Sequence, residues 1–447
     1  MNLKFDKTVY RRLLVLALPI LVGQVGSIVV GFADNMMVGH YSTDALASAS
    51  FVNNVFNVAI LGVMGFTYGI TPLVGALYAR RADSDIGSLM RVGLRVNTVF
   101  LAVVMALMTM LYFNLDALGQ PAELLPVIRP YYLTVLFGMI PFMVFNVFAQ
   151  WSYAINNTGM PMWIILASNA LNIAGNWLLI FGHWGLPELG LTGAGISTLT
   201  ARLTCAVAIY LIFARRRAYA AYFAGFRARL KGTHNVRRLW TTSLPVSIQM
   251  ICESGSFSVA AIMAGWLGKI PLAALQIVII IGTLGFCIYY SFGAAVAVKV
   301  SNAAGTGNRA EMRDIAWKGY HIMLVLMLTA SLIFGFAGRS LMSIFSDDAA
   351  VISLAGSLIA PLLCYQLGDA TQINFANALR GTSRVLPMSW IAFFSYVVVG
   401  VPATYIMTFT MGWGMTGLVG SFSVSLFLAG TLFLVFFLRA TRHPATY

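Results

Sequence analysis

Three acidic residues stand where acids are expensive. Asp34, Glu253 and Asp369 each fall deep inside a long apolar run. A charge at mid-bilayer costs several kcal/mol, so an acid there is expected to hold a proton, hold a cation or pair with another group. The neighbours of Asp34 fit that chemistry. Asn172 and Asn176 are four residues apart and so share one face of a helix, and Thr198 lies in the next apolar run. A carboxylate with amide and hydroxyl oxygens binds a hard cation or holds a proton.

Glu253 and Asp369 suggest a second site. Tyr365 is four residues before Asp369 and Gln372 is about one turn beyond it, and Ser254-Gly255-Ser256 follows Glu253. Glycine there would permit close helix approach or local opening. Two facing carboxylates, desolvated and repelling, would share a proton, or a cation between them would cancel the repulsion. Sodium at Glu253 and Asp369 and a proton at the same place are both compatible with these residues. The purely structural alternative is a protonated acid hydrogen-bonded between helices. Arg202 lies four residues after Thr198. It either pairs with Asp34 or extends to the cytoplasmic edge, and the second is expected. Met36, Met37, Asn53, Asn54 and Asn57 on the first two runs, together with Gln372, are candidates to line a substrate cleft.

The elements that position these residues are membrane helices. The 447 residues are 59% hydrophobic and 9% charged, with a mean hydropathy of +0.83. A soluble domain carries roughly a quarter charged residues. Runs of about 20 apolar residues recur throughout, long enough to cross a bilayer as helices and too long for barrel strands. Spans are expected at 13–39, 46–78, 94–115, 124–155, 161–183, 191–214, 239–267, 272–299, 315–337, 351–379, 387–411 and 414–438. The first is not a signal peptide. Ala45-Leu-Ala47 resembles a cleavage site, but the apolar stretch before it is too long and contains Gln24 and Asp34.

The net charge of +14 comes from 28 Lys and Arg against 14 Asp and Glu. These bases form no nucleic-acid patch, because they sit between spans. With twelve spans, 24 of the 28 fall on the side of the termini. Arg129, Lys269 and Arg339 fall opposite, and Arg202 within a span. The positive-inside rule then makes both termini cytoplasmic. Cys205, Cys252, Cys287 and Cys364 all lie in apolar runs without metal spacing and read as small buried hydrophobes. His40, His183 and His321 lie near span ends and read as interfacial.

The chain repeats itself at an offset of 226. Arg11-Arg12-Leu13 recurs as Arg237-Arg238-Leu239, Leu18-Pro19 as Leu244-Pro245, Gly39 as Gly265, Leu46-Ala47 as Leu272-Ala273, and Pro161-Met162 as Pro387-Met388. Gly190-Leu-Thr-Gly193 recurs at offset 224 as Gly414-Met-Thr-Gly417. Six spans per repeat give both halves one orientation. The expected fold is therefore an all-α membrane protein, with twelve transmembrane helices in two parallel-repeat six-helix lobes around a central cleft. Its parts are an N-terminal lobe over 1–214, a basic cytoplasmic linker over 215–238 and a C-terminal lobe over 239–447. The repeat is also an internal control. Asp34 corresponds to Ala260, Glu253 to Ser27 and Asp369 to Met143 or Phe145, while Asn172, Asn176 and Thr198 correspond to Val398, Pro402 and Phe422. Neutral residues serve the scaffold at those places, so the acids are not there for folding alone.

No G-x-x-x-x-G-K-[ST] loop occurs, so an ion gradient is the expected energy source. The 22 Met, 30 Phe, 18 Tyr and 9 Trp suit varied apolar cations, although packed and lipid-facing surfaces use the same types. An intramembrane aspartyl-type enzyme is disfavoured, because a Glu and an Asp without a protease motif would not need twelve repeated spans.

Ala17-Leu-Pro-Ile20, Gly31-Phe-Ala-Asp34 with Gly39, Thr71-Pro72-Leu73, Asn172-x-x-x-Asn176, Gly305-Thr-Gly-Asn308 and Ala378-Leu-Arg-Gly-Thr382 resemble the multidrug and toxic-compound extrusion (MATE) family over essentially the whole chain. Glu253 with Asp369 looks like its NorM-type branch. The resemblance implies a non-enzymatic antiporter of the bacterial inner membrane. It would act as a monomer, confer antibiotic resistance and exchange organic, often cationic, compounds for Na+ or H+, with no other cofactor. It implies cation or proton coupling at Glu253, Tyr365 and Asp369 in the second lobe, and at Asp34, Asn172, Asn176 and Thr198 in the first. Asn176 departs from relatives with an acid there, and Ala79-Arg-Arg-Ala-Asp83 departs from the glycine-rich turn kept at 305–308. A lipid-linked oligosaccharide flippase shares this broad architecture but would be expected to gather basic residues in its cavity, where this chain has Arg202 alone.

Overall fold

The computed structural model describes residues 7–118, 121–228, 234–342 and 348–442, the side chains of 234–235 and 334–342 excepted. Lys4, Arg229, Lys231, both chain ends and part of the 215–238 connection lie outside the described residues, as does the side chain of Arg339. The described chain is helical without strands. Its helices are α1 (Lys7–Tyr41), α2 (Thr43–Thr67), α3 (Ile70–Ala79), α4 (Asp83–Phe113), α5 (Leu125–Ala154), α6 (Gly159–Phe181), α7 (Gly190–Arg215), α8 (Ala220–Arg227), α9 (His234–Leu267), α10 (Lys269–Gly305), α11 (Arg309–Met342), α12 (Ala349–Ser357), α13 (Ile359–Gly381), α14 (Leu386–Ala392), α15 (Val401–Tyr405) and α16 (Gly414–Ala440). Eleven are apolar and long enough to cross a membrane, counting α2 with α3 and Leu386–Thr410 as single spans. The bent pair of α12 and α13 makes a twelfth.

The tenth span is thus broken where the sequence suggested one straight helix. The pair bends by 49° at Leu358. Pro361 explains the break, because its ring collides with the carbonyl four residues earlier, that of Ser357, where α12 ends.

Two compact units divide the chain, one of residues 22–247 and one of residues 1–21 with 248–447. These bounds differ from lobe limits drawn at 214 and 239. They fall inside α1 and α9, two residues after the paired Pro19 and Pro245. The two bounds are themselves 226 apart, so the repeat governs the division. In the first unit, packing is most extensive between α5 and α7, α6 and α7, and α4 and α8. In the second, it is most extensive between α13 and α16 and between α10 and α13.

The 215–238 stretch is more than a linker. Its helix α8 docks on α4 so closely that a Cβ on Gly87 would stand 1.9 Å from the Tyr222 carbonyl oxygen, and one on Gly225 2.1 Å from that of Ser84. Buried Trp151 anchors the same region edge-on, with ring centroids 4.9 Å from both Phe213 and Tyr219.

Backbone geometry carries the repeat further than residue identity does. At the end of α3, Arg81 N–H donates to Tyr78 O (3.0 Å) and Ala82 N–H to Leu77 O (3.1 Å). At offset 226, Gly307 donates to Ala304 (3.1 Å) and Asn308 to Ala303 (3.0 Å), closing the end of α10 in the same way. This cap needs a left-handed residue. Gly307 supplies it at φ 74°, and Arg81 adopts it at φ 57°. The replaced glycine turn of the first half therefore keeps its shape at a steric cost of roughly 1 kcal/mol.

The offset changes in the eleventh span, which contains two π-helical stretches, Phe393–Gly400 and Ile406–Thr410. A π-turn inserts a residue into a helix. At the second of them, Leu189 N–H to Leu179 O (3.0 Å) is matched by Trp413 N–H to Met407 O (3.2 Å). Leu179 thus corresponds to Met407 at offset 228. Between the two stretches the counterpart of Asn176 moves on from Pro402 toward Thr404. Thr404 is buried and hydrogen-bonds Ser421 at 2.8 Å, so the second half is less apolar there than a fixed offset implies.

Candidate functional site

In the unit of residues 22–247, α6 presents Asn172 and Asn176 from one buried face. The Asn176 Nδ2 donates to Asp34 Oδ1, and Asn172 Nδ2 donates to Thr198 Oγ1 at 3.2 Å. Ser197 Oγ fixes the Asn172 backbone carbonyl at 2.8 Å. The close approach of α6 and α7 has a local cause, since a Cβ on Gly175 would stand 2.4 Å from Ser197 Oγ. All four expected residues are gathered in this unit. The Oδ1 atoms of both Asn172 and Asn176 are buried without a partner. The cluster thus has more acceptors than donors, as an ion-accepting site requires.

Arg202 does not reach the cytoplasmic edge. Its guanidinium lies 5.3 Å over the Phe142 ring and beside Gly138, where an added Cβ would stand 3.2 Å from Nη1. It forms no ion pair with Asp34; among the described residues the ion pairs are Arg129–Asp116 and Lys318–Asp314. Tyr131 was not anticipated. Its hydroxyl donates to Asn53 Oδ1 at 3.3 Å, and Asp34 and Arg202 are its charged neighbours. No spacing in the sequence links residue 131 to residue 34.

In the unit containing residues 248–447, Glu253 Oε2 accepts from Gln249 Nε2 (3.2 Å) and Gln372 Nε2 (3.3 Å). Asp369 is 3% exposed, and its Oδ2 has no hydrogen-bond partner. Glu253 is the charged group that acts on it. Tyr365 feels both acids and packs edge-on against Phe257 and Phe422, at 6.4 and 6.1 Å. The Oε1 atoms of Gln249 and Gln372 are also buried and unpartnered. Glu253, Tyr365 and Asp369 are therefore brought together as expected.

Several readings change. Gln372, expected on a cleft wall, is 1% exposed and holds Glu253. Gln249 was missed, although it is four residues before Glu253 on one helix face. Gly255 makes no close approach, since a Cβ there would meet nothing within 4 Å, and α9 runs through it unbroken. Met36, Asn53, Asn54 and Asn57 are exposed, whereas Met37 is half-buried against the core. Among the cysteines, Cys205 and Cys287 are buried, but Cys252 is intermediate and Cys364 exposed. His40 is exposed, His183 is half-buried and stacked on Trp177 at 4.0 Å, and His321 is partly buried against the Tyr10 hydroxyl at 3.2 Å.

The chain is thus a polytopic helical membrane protein of two repeated halves, with acids held among amides in each unit. The MatE family model matches it twice, over residues 19–178 and 245–406, and the matches begin at the paired prolines. A model of the lipid II flippase MurJ matches residues 127–254. The probable multidrug resistance protein NorM of Bradyrhizobium diazoefficiens is 29% identical over 432 residues, covering 96% of this chain and 93% of that protein. The NorM of Xanthomonas axonopodis is also 29% identical, with the same shares covered. Crystal structures of the eukaryotic MATE transporter AtDTX14 (TM-score 0.87, 18% identity, 98% of each chain) and of a mutant of the Vibrio cholerae MATE transporter VcmN (TM-score 0.88, 15% identity, 98% of each chain) share the fold. The chain belongs to the MATE family of multidrug efflux transporters.

Proposed function

We propose that the protein expels small organic, often cationic, compounds in exchange for Na+ or H+ by alternating access. One observation carries the coupling: Asp369 Oδ2 is buried without a partner beside Glu253, whose own oxygen is held by two amides. The charge of Arg380 acts on Glu253, but Asp369 has Glu253 alone as its charged neighbour, so a desolvated acid there favours a proton or cation in place. Glu253, Tyr365 and Asp369 hold that ion in one unit. Asp34, Asn172, Asn176 and Thr198 form a second ion site in the other. A substrate cation and the coupling ion then compete for the same negative charge, which is the requirement for exchange. Exposed amides at Asn53, Asn54 and Asn57 support an aqueous substrate path, since an amide facing lipid would be costly. The protein works as a monomer in the bacterial inner membrane with both termini cytoplasmic, in line with its basic residues and bacterial relatives. The flippase alternative draws on the match at 127–254, but Arg202 is the one basic residue deep in a span there. The test is efflux from vesicles under an imposed gradient: export that follows the Na+ or the pH gradient supports the reading, and gradient-independent flux overturns it.

A further inference from the structure

The unit containing residues 248–447 carries a surface feature that ion coupling does not use. Leu386, Trp390 and Phe394 recur every four residues, which sets them along one exposed face from α14 into the first π-helical stretch. On α16, Leu432 and Phe436 are also four residues apart. These side chains line an open apolar groove of about 540 Å³. The groove ends among positive charges. Arg384 lies two residues before Leu386, and its Nη1 donates to the Ala440 carbonyl at 3.4 Å, which ties one wall to the other. Arg439 continues the same stretch of α16, with its guanidinium carbon 5.6 Å over the Phe436 ring. Beside them, Arg313 Nε donates to Thr441 Oγ1 (2.9 Å) and Arg309 Nη1 to the Arg442 carbonyl (3.1 Å). Helix capping accounts for part of this cluster, because the last carbonyls of a helix lack helical partners and arginine satisfies them. A neutral carbonyl does not cancel a guanidinium charge, however. The acids at the start of α11 are engaged, Glu311 with Asn308 (3.1 Å) and Asp314 with Lys318 (2.7 Å). The repeat shows that the scaffold needs neither end of the groove: at offset 226, Arg384 corresponds to Thr158 and Trp390 to Ile164.

We infer that this groove binds an anionic phospholipid of the surrounding bilayer. An acyl chain lies along the groove between α14 and α16, and the headgroup phosphate sits at Arg384 and Arg439. Charge complementarity selects this occupant. An apolar groove facing hydrocarbon takes any acyl chain, but a basic pocket where spans end favours a headgroup of net negative charge. A guanidinium also matches a phosphate with two parallel hydrogen bonds. The inference rests on the membrane placement of the fold and is independent of the coupling ion.

The test uses the full chain, delipidated in detergent and checked for a single species by gel filtration. It is titrated with phosphatidylglycerol or with phosphatidylcholine of the same chains, and bound lipid is counted by native mass spectrometry. Wild type should prefer phosphatidylglycerol. The double variant Arg384→Gln with Arg439→Gln should lose roughly 30-fold in affinity for that lipid and leave phosphatidylcholine unchanged. Leu432→Trp, which fills the groove, should weaken both lipids, and it decides the matter if the double variant does not fold. Arg215→Gln with Arg217→Gln removes the same charge elsewhere and should change neither. Equal wild-type affinity for the two lipids means ordinary annular lipid and overturns the inference. So does a double variant that keeps the preference, an equal loss in the Arg215 and Arg217 variant, or wild-type binding by Leu432→Trp. Glycerol phosphate bound as tightly as the whole lipid also overturns it, because the groove would then contribute nothing.

Discussion

Replacing Glu253 by Gln preserves the shape of the second-unit site and removes its charge. Oε2 accepts one N–H from Gln249 at 3.2 Å and one from Gln372 at 3.3 Å. A glutamine carbonyl oxygen can accept both. A hydrogen bond to a charged group contributes about 1.5–3 kcal/mol and one to a neutral group about 0.5–1.5 kcal/mol, so the swap costs about 1 kcal/mol per bond. Leucine instead strands both donors, at about 1–3 kcal/mol each. Glu253→Gln should therefore reach the membrane at wild-type levels, and Glu253→Leu should be less stable. The transport effect is of a different order. One monovalent charge crossing 100 mV carries about 2.3 kcal/mol, which sustains roughly a 50-fold substrate gradient. Without the charge at Glu253 that factor is lost, and substrate only equilibrates. Asp369→Asn should behave likewise, with less structural cost because Oδ2 has no partner to lose. The assay is steady-state accumulation in inverted vesicles, normalised to expression. Full gradient-driven accumulation in both variants would refute the reasoning.

Other expectations concern the scaffold. Arg81→Gly relieves a left-handed arginine at a position its repeat partner Gly307 already fills and should stabilise by about 0.5–1 kcal/mol in denaturant or thermal unfolding; a loss of stability would contradict the cap assignment. Gly193→Ala and Gly417→Ala each drive a Cβ to 2.4 Å from a backbone carbonyl oxygen, that of Leu179 or Met407, and should lower the melting temperature by the equivalent of about 1–3 kcal/mol each. Gly87→Ala should loosen α8 from α4, seen as faster tryptic cleavage around Arg227, whereas unchanged cleavage would mean that the close approach to Tyr222 is not needed for docking.

Much of the fold was legible because a bilayer imposes length and polarity on every span. The repeat was legible because glycines and prolines at paired turns are backbone requirements. What a linear offset cannot carry is an inserted residue inside a helix. The π-helical stretches shift the register, so the repeat counterpart of Asn176 lies beyond Pro402, toward Thr404. Pro361 was visible, yet one proline in a span can kink or break it, and the sequence alone does not choose. At the sites, Asn172 with Asn176 was readable from helical spacing, and Gln249 should have been on the same grounds. Tyr131 was not, since its place beside Asp34 and Arg202 is set by tertiary packing alone.

The central claim is that buried acids couple export to an ion gradient. Its most direct test is efflux of a fluorescent organic cation from proteoliposomes containing the full chain, with the sodium and pH gradients imposed separately. The account predicts that efflux rises with one of the two gradients and collapses when that gradient is dissipated. Efflux at the same rate with both gradients absent would contradict it.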